Sequence, residues 1–229
     1  MKKLTLGAIS LLALFSLWAC PSFSTMQTVR TVPEGEIRGA VSAHWLGIGD
    51  VGIPQFELGL RYGLTDSLDL GAKLYSVGAE IGMKYQAVRG AFDLSIAPAV
   101  SYFGISTDDT NDEGVKSSAS VHLIYMHLPL LMGYNVSESI TLGFGPKFLY
   151  ILAFGSGNFS DDEDSVSASA SGDGMMGGAF VSVIFKIGKA FWIGPEINIY
   201  TNLTGNADAF ANVFYQGGIA LYFGGPDKE

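Results

Sequence analysis

The chain has 229 residues and a formal net charge of −9, from 22 acidic and 13 basic side chains, with no basic cluster that would point to nucleic acid. Hydrophobic residues reach 48% and aromatics 12%, which excludes a disordered chain, while charged residues stay at 15% against roughly 25% in ordinary soluble domains. The 30 glycines follow no Gly-X-Y period, and one cysteine excludes both a disulfide framework and a multi-cysteine zinc site. At the start of the chain, Lys2 and Lys3 precede the apolar run Leu4 to Ala19. That run is too short to cross a membrane comfortably as a helix and has the layout of a signal peptide. Residues 1–19 are therefore expected to be removed, and 20–35, rich in Ser and Thr, read as a polar tether.

Leu17-Trp18-Ala19-Cys20 resembles the lipobox of bacterial lipoproteins. The resemblance implies that Cys20 is lipidated and becomes the mature N-terminus. Residue 21 is Pro, not the Asp of the inner-membrane retention signal, so the implied destination is the outer membrane.

From residue 36 onward the hydrophobic period is two, the signature of strands with two unlike faces. In chain order the alternating runs are Glu36–Leu46, Gln55–Thr65, Leu68–Tyr75, Ala79–Gln86 and a run from Phe92 that stops before Gly104. Ala119–Tyr134, Ile140–Leu152, Met175–Ile187, Phe191–Tyr200 and Val213–Phe223 follow, giving ten strands. The connections after even-numbered strands are all tight (65–67, 87–90, 135–139, 188–190). Those after odd-numbered strands are mostly long (47–54, 104–118, 153–174, 201–212), with 76–78 the exception. Short turns on one rim and long loops on the other are what transmembrane β-barrels show. An even count also returns the C-terminus to the rim of the N-terminus.

The chain repeats itself. Tyr62-Gly-Leu-Thr-Asp-Ser-Leu-Asp-Leu-Gly71 reappears as Tyr134-Asn-Val-Ser-Glu-Ser-Ile-Thr-Leu-Gly143. Ile96-Ala-Pro-Ala-Val100, Phe144-Gly-Pro-Lys-Phe148 and Ile193-Gly-Pro-Glu-Ile197 share one pattern, and Leu70-Gly-Ala-Lys-Leu74 carries it with Ala for Pro. A closed barrel has no edge strand to absorb a missing N–H, so bulges are expected at these prolines. The Tyr-Gly-Leu-Thr-Asp turn, the alternation and the terminal Ala-Leu-Tyr-Phe223 resemble small bacterial outer-membrane β-barrel proteins. This implies an all-β, up-and-down antiparallel transmembrane barrel over 36–223, followed by a tail, 224–229. It also implies outer-membrane lipid and the barrel-assembly and lipoprotein-sorting machineries as partners. With Cys20 anchored in the periplasmic leaflet, both termini are expected to be periplasmic and the acidic loops extracellular.

Parity alone does not say which face is inside, but charge does. The polar faces carry Glu36, Glu57, Asp69, Glu80, Asp93 and Glu196 against Arg38, Arg61, Lys73, Lys84, Lys147 and Lys186, with Gly and Ala between them. Such a balanced ladder suits a narrow lumen, where small residues make room for paired long ones and unpaired charge is costly. It reads either as the lining of a pore or as a structural plug of salt bridges, and the plug or a very tight channel is preferred. Two acidic groups, Asp108, Asp109, Asp112 and Glu113, then Asp161, Asp162, Glu163, Asp164 and Asp173, fall in the long loops. Asp108, Asp109, Asp161, Asp162 and Asp164 are the candidate cation ligands, although neither loop has the spacing or glycine of an EF-hand. No cofactor is expected.

The three histidines are His44, His122 and His127; the last two, five apart, should face opposite sides of one strand. No nucleophile elbow, phosphate loop or zinc motif occurs. The expectation is a barrel that is not an enzyme. A structural or surface-interaction role ranks first, passage of small solutes second and lipid-modifying catalysis third.

Overall fold

A computed structural model describes residues 22–48, 51–110, 116–160, 165–204 and 213–224. Every regular element in it is a strand: β1 (Ile37–Ile48), β2 (Val51–Thr65), β3 (Leu68–Tyr75), β4 (Gly78–Val88), β5 (Phe92–Ile96), β6 (Ala99–Thr110), β7 (Lys116–Ser137), β8 (Ile140–Ser160), β9 (Ser165–Lys186), β10 (Phe191–Asn202) and β11 (Val213–Gly224). Each pairs antiparallel with its sequence neighbour, except that β5 and β6 both lie between β4 and β7 as two halves of one stave. The β1–β11 ladder, from Arg38↔Gly224 to Ile48↔Phe214, closes the sheet on itself. The protein is a closed, ten-stave, up-and-down barrel, as the alternation predicts.

The outer and inner faces settle the question of parity. On the outside Leu58, Leu70 and Ile81 are 59%, 43% and 68% exposed, and on the inside Glu57, Asp69 and Lys84 of the same three strands are buried. An apolar exterior around a charged interior is the inverse of a soluble barrel.

The stretches expected as long loops are largely strand. Residues 104–110 pair with 116–122, and 153–160 with 165–172, so two hairpins rise well above the short β1–β2 and β3–β4 connections. Strand β8 has 21 residues, about 70 Å at ~3.3 Å per residue, whereas roughly 9–11 residues span a bilayer. In the upper part of β9, Ser167–Asp173 are all exposed. Runs such as Ser167-Ala-Ser-Ala-Ser-Gly172 keep the strand backbone but have no apolar face, and for that reason the sequence hides them.

The prolines do not produce bulges. Among the described residues, register shifts occur near the short turns, at Gly63/Thr65, Gln86/Val88 and Asn135/Ser137. At Pro98, Pro146 and Pro195 the ladder to one or both neighbours skips two residues on each strand and resumes in the same register. One absent donor needs one absent bond, not an inserted residue. In β3, where Ala72 stands at the proline position, pairing to both neighbours is continuous.

Candidate functional site

The segment expected as a free tether lies inside the barrel. Over its described part, Ser22–Pro33, it runs through the lumen between the loop-side and turn-side rims. Only Gln27 and Arg30 keep intermediate exposure; the rest is buried. At the turn rim Glu34 bridges to Gly63 and Glu36 N–H donates to the Pro33 carbonyl at 3.1 Å. Gly63 is required here, because any side chain would run into the Val32 and Pro33 carbonyls.

A polar chain can be buried only if its backbone groups find partners. The ladder supplies them. Lys84 Nζ donates to the Thr28 and Arg30 carbonyls at 2.9 and 2.7 Å, Lys147 Nζ to the Phe23 carbonyl at 2.7 Å and Lys73 Nζ to the Ser24 carbonyl at 3.2 Å. In the other direction, Thr25 N–H donates to Glu196 at 2.7 Å, Val32 N–H to Asp69 at 2.9 Å and Phe23 N–H to Gln216 at 3.2 Å. Glu57 accepts from the Ser22 hydroxyl and, at 2.5 Å, from the Ser24 hydroxyl. The segment brings one charge, Arg30, which pairs with Asp93 at 2.8 Å.

The ladder residues also pair with one another, across strands. Lys73 lies 3.4 Å from Glu80 and 3.8 Å from Glu57, Lys84 lies 3.4 Å from Asp69, and Arg61 lies 2.5 Å from Asp69. Same-face residues four apart, such as Asp69 and Lys73, are about 13 Å distant along a strand, whereas directly opposed residues are about 5 Å apart. Register therefore chooses the partners: Lys73 faces Glu80 and Asp69 faces Lys84. Arg38 lies over the Trp192 ring at 4.4 Å and donates to Thr28 Oγ1. Glu36 and Lys186 sit at the turn rim, the latter lining a cavity of about 500 Å³ with Thr28, Arg30, Asn135 and Trp192.

Above the charges the lumen turns apolar, a change that the sequence pattern does not announce. Leu46, Tyr75, Phe103, Tyr125, Leu149, Met176, Tyr200 and Phe214 form a buried cluster with Phe23 at its centre. Phe23 stacks on Phe214 with 6.0 Å between ring centroids and meets Tyr125 and Tyr200 at a tilt, both at 5.7 Å. The inward Tyr125 and Leu131 are why 119–134 looks apolar on both faces: one face meets the exterior and the other the core.

Cys20, Asp112, Glu113, Asp161, Asp162, Glu163 and Asp164 lie outside the described residues. Asp108 and Asp109 are part of strand β6, and no group of metal-ligating side chains is assembled among the described residues. His122 and His127 do face opposite ways: His122 meets Tyr102 outside at 2.8 Å, and His127 lies in the lumen. His44 is buried in the lumen with neither ring nitrogen hydrogen-bonded. A cluster missed from sequence joins Ser101, His127 and Glu80. Ser101 Oγ is 3.2 Å from His127 Nε2 and donates to Glu80 at 2.9 Å. Glu80 approaches the same Nε2, at 3.4 Å. A catalytic triad instead needs its carboxylate on the opposite ring nitrogen, to orient the base.

No protein-family model matches the chain, and no curated protein is similar to it in sequence. Solved structures do resemble it. The outer membrane protease OmpT of Escherichia coli superposes with a TM-score of 0.55 at 7% identity, covering 87% of this chain and 100% of that one. The translocator domain of the autotransporter NalP from Neisseria meningitidis gives 0.51 at 11% identity, covering 82% and 87%. The fold is that of an outer-membrane β-barrel. At these identities the likeness extends to the fold alone.

Proposed function

We propose that this chain is an outer-membrane protein whose barrel is held shut by its own N-terminal segment and whose role is structural or interactive at the cell surface. The observation that carries the reading is the lumen itself, occupied along its length by Ser22–Pro33 and capped by the cluster around Phe23. A barrel closed in this way works through what it presents outside. That surface is the pair of tall hairpins, β6–β7 and β8–β9, with polar, exposed walls, and in this reading they are extracellular. Outer-membrane lipid and the barrel-assembly machinery are the expected partners, and the lipoprotein-sorting machinery goes with lipidation of Cys20.

Passage of small solutes is the second reading, favoured by the way the segment is held: by hydrogen bonds and packing, joined to the wall through the exposed Glu34–Gly35 turn. Lipidation of Cys20 belongs with this alternative. Ser22 is level with Glu57, about 26 Å of strand above the turn end of β2. The two residues back to Cys20 reach about 7 Å at most. A lipid on Cys20 can therefore enter the periplasmic leaflet only when the segment has left the lumen, so anchoring and plugging exclude each other.

Planar-bilayer recording separates the readings. The purified mature protein should be silent, and a variant starting at Glu34 should conduct, with selectivity altered by Lys73→Glu. Steady conductance from the full mature chain would refute closure. Palmitate labelling of wild type and Cys20→Ala tests the anchor, and equal labelling of the two would rule it out.

A further inference from the structure

We infer that the lumen is a receptor for an extended polypeptide with an aromatic residue followed, six and seven positions later, by a β-branched aliphatic and an arginine. The inference rests on closure by Ser22–Pro33 and goes beyond it: the segment at rest is one ligand of a site that can hold others. Three observations carry it.

First, recognition runs mainly through the backbone. Lumen side chains donate to the carbonyls of Ser22, Phe23, Ser24, Thr28, Val29 and Arg30. They accept from the N–H groups of Phe23, Thr25, Thr31 and Val32. These groups are common to every non-proline sequence.

Second, the wall selects at a few positions. Tyr125, Tyr200 and Phe214 surround Phe23, and Asp93 holds Arg30. Gly133 leaves room for Val29. A Cβ at Gly133 would stand 3.1 Å from Val29, so the wall is shaped to that side chain.

Third, Ser22–Pro33 contributes no strand to the sheet; every rung of the closed ladder belongs to residues 37–224. Its departure would leave the ladder complete. While attached it competes at an effective concentration in the millimolar range, so an outside peptide gains entry only when the tie at Glu34–Gly35 is cut or the segment is weakened.

The test places a protease site at the exposed Glu34–Gly35 turn, folds the full chain in detergent and cuts it. A fluorescent peptide of sequence Ser22–Pro33 is then added and followed by anisotropy. The uncut chain should exclude the peptide and the cut chain should exchange its own segment for it. A Phe23→Ala peptide should bind about thirtyfold more weakly or worse, the loss expected for an aromatic anchor. A peptide keeping Phe23, Met26, Val29, Arg30 and Val32 but altered elsewhere should bind within about tenfold. Failure of the peptide to enter the cut chain, or equal binding of wild-type and Phe23→Ala peptides, overturns the receptor. If the inserted site prevents folding, the full chain with Phe23→Glu and Val29→Asp takes its place and should admit the wild-type peptide; absence of entry there overturns the receptor as well. Amide exchange on the uncut chain tests closure separately. Slow exchange at Phe23, Thr25, Thr31 and Val32 supports it, and fast exchange there removes closure and not merely the receptor.

Discussion

In the turn-side half of the lumen, Asp69 and Lys84 meet with no exposed surface, Arg61 closes on Asp69, and the segment is gripped by its backbone. In the loop-side half, Leu46, Phe103, Leu149 and Phe214 surround one phenylalanine, and little is charged. The two halves bind one segment by opposite means. Apolar burial contributes in proportion to area, about 25 cal/mol per Å², and tolerates small displacements. Buried ion pairs contribute little net free energy, because desolvation offsets attraction, but losing one partner is costly. The loop-side half therefore supplies affinity for the segment, and the turn-side half sets where along the lumen it stops.

Lys84→Met should show the largest effect. It leaves Asp69 with Arg61 and the Val32 N–H, and takes the Lys84 donor from the Thr28 and Arg30 carbonyls, so urea unfolding in detergent should show a loss of about 3–5 kcal/mol. Adding Asp69→Leu should recover part of that loss: replacing both members of a buried pair by apolar groups is often close to neutral, but here Arg61 and the Val32 N–H lose their acceptor. If the double variant is as unstable as the single one, the charged half does more than set position.

Leu149→Ala in the apolar half should cost about 2–4 kcal/mol, through lost transfer energy and the cavity left behind. No second substitution on the segment is expected to rescue it, because packing has no single partner to remove. Rescue of this variant by a charge change below would erase the distinction between the halves.

Gly71→Ser should be the mildest. In an open, hydrated lumen so small a polar group would be nearly neutral. In the structure a Cβ at Gly71 meets the Arg61 guanidinium, which must then shift away from Asp69. A loss of about 1–2 kcal/mol is expected in the same unfolding measurement, typical of overpacking at a tight site. No change at all would mean that Arg61 has an equally good second position.

Ten staves, their parity and their turns were legible because each stave in the first half sets apolar residues against Gly and charge, as in Leu68–Tyr75, and a two-residue period has one structural meaning. The inward direction of the ladder charges was legible for an energetic reason: only a closed lumen uses so balanced a set. The tall hairpins were not, since Ser, Ala and Gly alternate without contrast in hydropathy. Nor was the apolar half, because a strand such as Ala119–Tyr134 with two apolar faces does not say that they meet different neighbours.

The sequence by itself determined a closed, alternating barrel with charge inside and lipid-compatible side chains outside, because period and balance are properties of a strand read alone. Only the tertiary structure decided what fills it. Ser22–Pro33 has no periodicity of its own, and its burial depends on Glu57, Asp69, Lys84, Lys147 and Glu196, residues far apart in sequence on five different strands. Closing the sheet brings these groups onto one axis, and a polar segment can leave water only where they converge.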